Sequence, residues 1–334
     1  MTAVSVLGAG SWGTALALLM ARNGHPTTLW GHRPEHVAKL HAARCNDRYL
    51  PGAHFPDNLK VVANLAEAVE CAEILIIAAP SHAFRSLLIN LAPHLASESK
   101  IAWATKGLEL ESGKLLHQVT EDVLGPDIPA AVLSGPSFAR DLAANLPTAI
   151  TVASRQVEFA RMLAGLLHNN RFRAYTTEDI IGVQLGGATK NVLAIAAGVA
   201  DGLGFGANSR AALITRGLAE MMRLGLALGG KSETFMGLAG VGDLILTCTD
   251  NQSRNRRFGL GLGKGLSREQ ITAEIGQEIE GITTTKVIYR LAQSLGIEMP
   301  ITEQTYKILY ENLAPLEAVN NLLIREQKSE AVVA

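Results

Sequence analysis

The stretch Val4-Ser5-Val6-Leu7-Gly8-Ala9-Gly10-Ser11-Trp12-Gly13, followed by the amphipathic run Thr14–Arg22, decides the fold. Four apolar-rich residues predict a strand, and a helical pattern starts where the glycines end. Gly8 permits a tight turn, Gly10 lets a backbone approach a pyrophosphate, and Gly13 lets helix pack on strand. The helix N-terminus adds unpaired N–H groups and the positive end of its dipole, so Ser11 and Trp12 join the glycines as candidate anion contacts. A lone G-x-G-x-x-G is weak. Here it follows a predicted strand and precedes a second one, Thr27–Trp30, about 20 residues on, which is the context a dinucleotide-binding unit requires.

Working outward, short apolar runs recur at Leu59–Val62, Ile74–Ala78, Lys100–Ala104, Ala130–Leu133 and Ala149–Val152, separated by helical patterns. Such alternation predicts an α/β unit with a parallel, doubly wound sheet of the Rossmann type, covered on both faces. From about Glu178 the texture changes to helical periodicity: Gln184–Ala200, Ser209–Leu228, Thr284–Leu295, Thr302–Glu311 and Leu316–Arg325. The expectation is a dinucleotide-binding domain over 1–177 and an all-helical substrate domain over 178–327, with helix Gln156–His168 near the boundary and a frayed end from Gln327 to Ala334.

The 334 residues are 48% apolar and 18% charged, enough for two buried cores, and 30 basic residues nearly cancel 31 acidic ones. No overall field points to nucleic acid or an anionic membrane, so an anion site must be local. Cys45, Cys71 and Cys248 are too few and too scattered for a disulfide framework or a metal site, which fits a reducing cytoplasm and small packing roles. Thr2–Ala21 carries no charge, yet it lacks a preceding basic segment and its glycines have the better explanation above. No membrane span and a soluble protein are expected. No metal is called for, and a homodimer is the assembly left open.

At the end of the second strand stands Trp30-Gly31-His32-Arg33, where an enzyme selective for NAD usually places a carboxylate to hold the ribose 2′-hydroxyl. None is present. Arg33 suits a 2′-phosphate and His32 can flank the adenosine, so NADP is expected to be preferred over NAD; a solvated loop is the competing reading.

Six motifs stand in order along the chain: the glycine turn with Thr14-Ala15-Leu16-Ala17, Ala104-Thr105-Lys106-Gly107-Leu108, Ser134-Gly135-Pro136-Ser137-Phe138-Ala139, Gly187-Ala188-Thr189-Lys190-Asn191-Val192, Gly240-Val241-Gly242-Asp243-Leu244 and Asn251-Gln252-Ser253-Arg254-Asn255-Arg256. Lys106 and the Gly135 turn each follow a predicted strand, and ligands of such sheets bind beyond the strands' carboxyl ends. Lys190 is the only charge in Ile180–Ala200, and lysines are seldom placed so without a partner. Partial burial would bring its amine toward a state able to accept a proton, whereas a snorkelling side chain is the bland alternative. Asn191 beside it is a candidate for orienting a ligand, or a polar cap. Asp243 has Thr247 on the same helical face and is either a partner for that lysine or a helix N-cap. Ser253-Arg254-Asn255-Arg256-Arg257 is the densest basic cluster and calls for an anion such as phosphate. Aromatic stacking residues are not interleaved with it, which argues against nucleic acid.

Taken together, these motifs resemble the bacterial-type NAD(P)-dependent glycerol-3-phosphate dehydrogenases over essentially the whole chain. The resemblance implies a Rossmann domain, a helical substrate domain and a site in the cleft between them, with reversible reduction of dihydroxyacetone phosphate to sn-glycerol 3-phosphate that supplies phospholipid backbones. It implies that Lys190 is the proton acceptor, that Lys106 contacts cofactor and substrate, and that Gly135, Ser137, Asn191, Asp243, Ser253, Arg254 and Asn255 contact the substrate. Ala139, Arg254 and the Glu278-Ile279-Glu280 segment would reach the cofactor. Glu278 stands where the family commonly has an apolar residue, so a backbone contact is expected there. A β-hydroxyacid dehydrogenase and a dinucleotide sensor without turnover are the rival readings.

Overall fold

The computed structural model describes residues 1–70 and 72–326; Cys71 and the segment from Gln327, both read above, lie outside the described residues. The chain divides into two compact units, Met1–Glu109 with Lys114–Ile180, and Leu110–Gly113 with Ile181 onward.

Among the described residues ten strands occupy the first unit: β1 Val4–Leu7, β2 Thr27–Trp30, β3 Cys45–Asn46, β4 Leu50–His54, β5 Leu59–Val62, β6 Ile74–Ile77, β7 Lys100–Trp103, β8 Ala130–Ser134, β9 Thr148–Ala153 and β10 Phe172–Thr177. Eight form one sheet in the order β10-β9-β8-β7-β6-β1-β2-β5, and β3 and β4 form a separate hairpin. β1 and β6 are buried along their whole length, which is why β6 reads as an unbroken apolar run and β1 as one broken only by Ser5. The order reverses on either side of β1, so the switch point of this doubly wound sheet lies between β1 and β6, at the mouth of the Gly8 turn. Helix Ser11–Arg22 packs its buried face, Leu16, Leu18 and Met20 included, into the core with Val4, Val6 and Ile76.

Three features depart from the expectation. β8 and β9 pair antiparallel, whereas the neighbouring pairs run parallel. Their connection holds only the five-residue helix Ala139–Ala143, roughly 7–8 Å long at 1.5 Å per residue, too short to carry the chain back along a strand and re-enter it in parallel. β10 escaped the pattern because only Phe172 of its six residues is buried, as suits an edge strand. The β3–β4 hairpin interrupts its ladder with Pro51 and Gly52 and offers no period to read.

The second unit is helical, with a core in which Ile195 and Val199 meet Phe258, Ile271, Ile275 and Ile282. Among the described residues one helix, Ile180–Gly202, is long and apolar enough to cross a membrane, and 89% of its most apolar window is buried inside the fold. Buried Glu220, on helix Ala207–Ala227, accepts hydrogen bonds from the N–H groups of Ile301 (2.5 Å) and Thr302 (3.1 Å) and from the Thr302 hydroxyl (3.0 Å). It thereby closes the N-terminus of helix Pro300–Tyr310.

Burial pushes the Glu220 carboxyl up to about 7 from an ordinary 4.5. The native protein therefore keeps a proton that the unfolded chain has released, so this group's contribution to stability is fully present below about pH 4.5 and is lost as pH rises through about 7. Glu220→Gln does not titrate there. The stability difference between wild type and Glu220→Gln, from urea unfolding at about pH 5 and about pH 8, is expected to shift against the wild type by about 2–3 kcal/mol. A pH-independent difference would mean that the carboxylate is ionised throughout.

Candidate functional site

The glycine turn fits a pyrophosphate. Gly8 has φ +130°, and a Cβ there would stand 2.7 Å from the Ala78 carbonyl oxygen; one on Gly13 would stand 1.9 Å from the Gly8 carbonyl oxygen. A Cβ on Gly10 would meet nothing within 4 Å, so the backbone is open on that side. Helix Ser11–Arg22 begins at Gly10 with no side-chain cap, which leaves its first N–H groups to a ligand. Trp12 beside them is half-buried, with its indole Nε1 enclosed and unpartnered. At the end of β2, His32 and Arg33 are exposed side by side, and Arg33 Nε donates to His32 Nε2 at 3.1 Å. Glu35 follows in the first turn of helix Pro34–Ala43.

In the same unit three sequence-predicted residues meet at one atom. The Gly135 carbonyl accepts from Lys106 Nζ (3.4 Å) and from Ser137 Oγ (3.1 Å). Gly135 has φ +152°, and a Cβ there would press on Ile150 Cα at 2.9 Å, so only glycine turns the chain at the end of β8. Ala139 opens the next short helix and packs on the core.

The helical unit assembles around Lys190. A π-helical turn, Leu238–Gly242, delivers the chain into helix Asp243–Thr249. It lies close against helix Ile180–Gly202 because Gly186 has no side chain: a Cβ there would sit 2.3 Å from the Ala239 carbonyl oxygen. One helical turn beyond Gly186, Lys190 Nζ donates to Asp243 Oδ1 at 2.5 Å and to Thr247 Oγ1 at 3.0 Å. The side chains are 8% and 1% exposed for Lys190 and Asp243, so this is a buried ion pair rather than a snorkelling lysine. Asp243 is the first residue of its helix and the cap position belongs to Gly242, which answers the N-cap alternative.

A second helix reaches the same helix through glycines. Gly198 and Gly259 let Ile180–Gly202 cross Arg254–Gly263 so closely that a Cβ on either would lie 2.1 or 2.0 Å from a facing carbonyl oxygen. That crossing sets Asn255 Nδ2 2.9 Å from Asn191 Oδ1, while Asn255 Oδ1 accepts from the Gly281 N–H at 2.9 Å. Asn191 Nδ2 is buried with no hydrogen-bond partner, an orphan donor beside Lys190. Ser253 caps the helix by accepting from the Arg256 N–H, and Arg254 is half-buried in its first turn.

Two family profiles match the chain, the N-terminal part of NAD-dependent glycerol-3-phosphate dehydrogenase over residues 3–160 and its C-terminal part over 179–320. A curated NAD(P)+ glycerol-3-phosphate dehydrogenase of Methylococcus capsulatus is 63% identical over 328 residues, 98% of each chain. The chain belongs to the NAD-dependent glycerol-3-phosphate dehydrogenase family. Its counterpart in Aeromonas hydrophila is 58% identical over 329 residues, again 98% of each chain. The crystal structure of glycerol-3-phosphate dehydrogenase from Coxiella burnetii superposes with a TM-score of 0.95 at 50% identity, covering 97% of this chain and 99% of that one.

For this member of the family, the basic cluster needs one correction. Read from sequence, Ser253–Arg257 offers its arginines together, but Arg256 is spent on the protein itself. Its guanidinium pairs with Asp201 (2.5 Å), donates to the Cys248 carbonyl (3.0 Å) and binds the Asn251 side chain. Asp201 also takes Arg210 at 3.0 Å. Arg254 makes no ion pair among the described residues. Asp201 is a site the sequence reading misses; the available signal is a carboxylate standing just past the run Ile180–Ala200, whose one charge is Lys190. Glu278 is exposed and Glu280 opens helix Glu280–Ser294.

Proposed function

We propose that this chain reversibly reduces dihydroxyacetone phosphate to sn-glycerol 3-phosphate with NADPH or NADH, with Lys190 as the proton-transfer residue. The observation that carries the reading is the buried Lys190–Asp243 pair with Thr247 in a helical unit of this family. A nicotinamide cofactor, when bound, supplies or takes the hydride at C2. On reduction Lys190 Nζ gives its proton to the C2 oxygen; on oxidation it takes the hydroxyl proton. Asp243 and Thr247 hold the amine in place by accepting hydrogen bonds from it.

Arg254 with Ser253 serves the phosphate, and Lys106, Gly135, Ser137, Asn191 and Asn255 the rest of the substrate. Gly8, Gly10, Ser11, Trp12, Gly13, His32, Arg33, Ala139, Glu278 and Glu280 serve the cofactor. The Gly135 carbonyl gathers Lys106 and Ser137, and Asn191 keeps a free donor; both arrangements support these roles. The setting proposed is cytoplasmic, the assembly a homodimer, and the product a source of phospholipid backbone.

The test is loss of the reduced-nicotinamide absorbance with dihydroxyacetone phosphate, against 3-hydroxy and keto acids as controls. Turnover on the acids alone would overturn the substrate assignment. Arg254→Ala is expected to raise KM for dihydroxyacetone phosphate about tenfold or more, the value of a charge-assisted bond to phosphate. An unchanged KM would move the phosphate elsewhere.

A further inference from the structure

The β3–β4 hairpin stands outside the main sheet and is tied to the glycine turn instead. Asn46, fully buried, donates from Nδ2 to the Ala9 carbonyl (3.1 Å) and to Thr14 Oγ1 (2.8 Å). Ser11 Oγ donates to the Tyr49 carbonyl at 2.7 Å. The His36 ring packs edge-on against Tyr49 at 5.3 Å. Asn46 thus ties the hairpin to one peptide group, the one joining Ala9 to Gly10.

In a trans peptide the C=O and the following N–H point in opposite directions. With the Ala9 carbonyl held toward Asn46, the Gly10 N–H points away from it, and the backbone at Gly10 borders open space. If that plane were free to rotate, its carbonyl oxygen could face the incoming phosphates and repel them. We propose that Asn46 is a positioning residue for the cofactor: through the hairpin it locks the Ala9–Gly10 peptide with its N–H toward the pyrophosphate. This rests on the reading of the turn as an NAD(P) site.

The test is direct titration of NADPH and NADH by fluorescence on the full-length protein, with thermal melts alongside. Asn46→Ala is expected to raise Kd for both cofactors about tenfold and by the same factor, because the pyrophosphate is common to them; kcat at saturating cofactor and KM for dihydroxyacetone phosphate stay close to wild type. Thr14→Val removes the other acceptor of Asn46 and spares the Ala9 bond, so it should leave both Kd values in place. Should Asn46→Ala not fold, Asn46→Leu, of similar volume but without the donor and without a charge, carries the same readout. Wild-type affinity in a folded Asn46 variant, an unequal effect on the two cofactors, or equal weakening by Thr14→Val would overturn the proposal. Wild-type protein that binds neither cofactor would instead overturn the dinucleotide reading.

Discussion

Lys190→Ala is expected to lower kcat by roughly 10²–10⁴-fold, the usual worth of a positioned general acid–base group, while cofactor affinity stays within about twofold. The structure adds a second consequence. Removing the ammonium leaves Asp243, 1% exposed, as a buried carboxylate without its partner, at a cost of about 3–5 kcal/mol. The variant should therefore melt earlier as well as turn over slowly, and loss of activity alone would not separate chemistry from folding. Lys190→Met combined with Asp243→Leu removes both charges and is expected to recover stability without recovering turnover. Steady-state kinetics, NADPH titration and melts on the three proteins make the check. A folded Lys190→Ala retaining more than about a tenth of wild-type kcat would rule out proton transfer by this residue.

Arg33→Asp is expected to reverse cofactor choice. The wild type should favour NADPH over NADH by about ten- to a hundredfold in kcat/KM, because a charge-assisted bond to the 2′-phosphate is worth about 1.5–3 kcal/mol. Two features of the structure hold the figure near its lower end. Arg33 is exposed, which screens the attraction, and Glu35 stands two residues on in the first turn of the following helix. The contact to His32 uses only Nε, so the terminal nitrogens of the guanidinium remain free to reach a phosphate. An aspartate there removes the attraction, repels the phosphate and can accept from a ribose 2′-hydroxyl. The ratio of kcat/KM for the two cofactors, measured in both proteins, decides. A wild-type preference for NADH, or a ratio unmoved by the substitution, would place the 2′-phosphate elsewhere.

What the sequence by itself determined was local and periodic. Strands β1, β2 and β5 coincide with the runs read as strands, β1 because it is buried throughout in the middle of the sheet, β2 and the edge strand β5 although each leaves part of its length less covered. The glycine turn declared itself because Gly8 and Gly13 each meet a separate steric demand while Gly10 leaves its side open, and Lys190 because a charge in an apolar helix needs a partner. Tertiary structure decided which partner. Asp243, 53 positions away, could have been a helix cap, and it meets Lys190 because Gly186 lets the π-turn lie against the helix. Arg254 and Arg256 look alike in the sequence, yet the crossing at Gly198 and Gly259 fixes the helix that carries both, and in that setting Arg256 is spent on Asp201. The antiparallel turn of β9 and the hairpin on Ala9 left no periodic trace either. A pattern of residues states what each side chain requires from its surroundings, whereas which group meets the requirement depends on how closely distant backbones can approach.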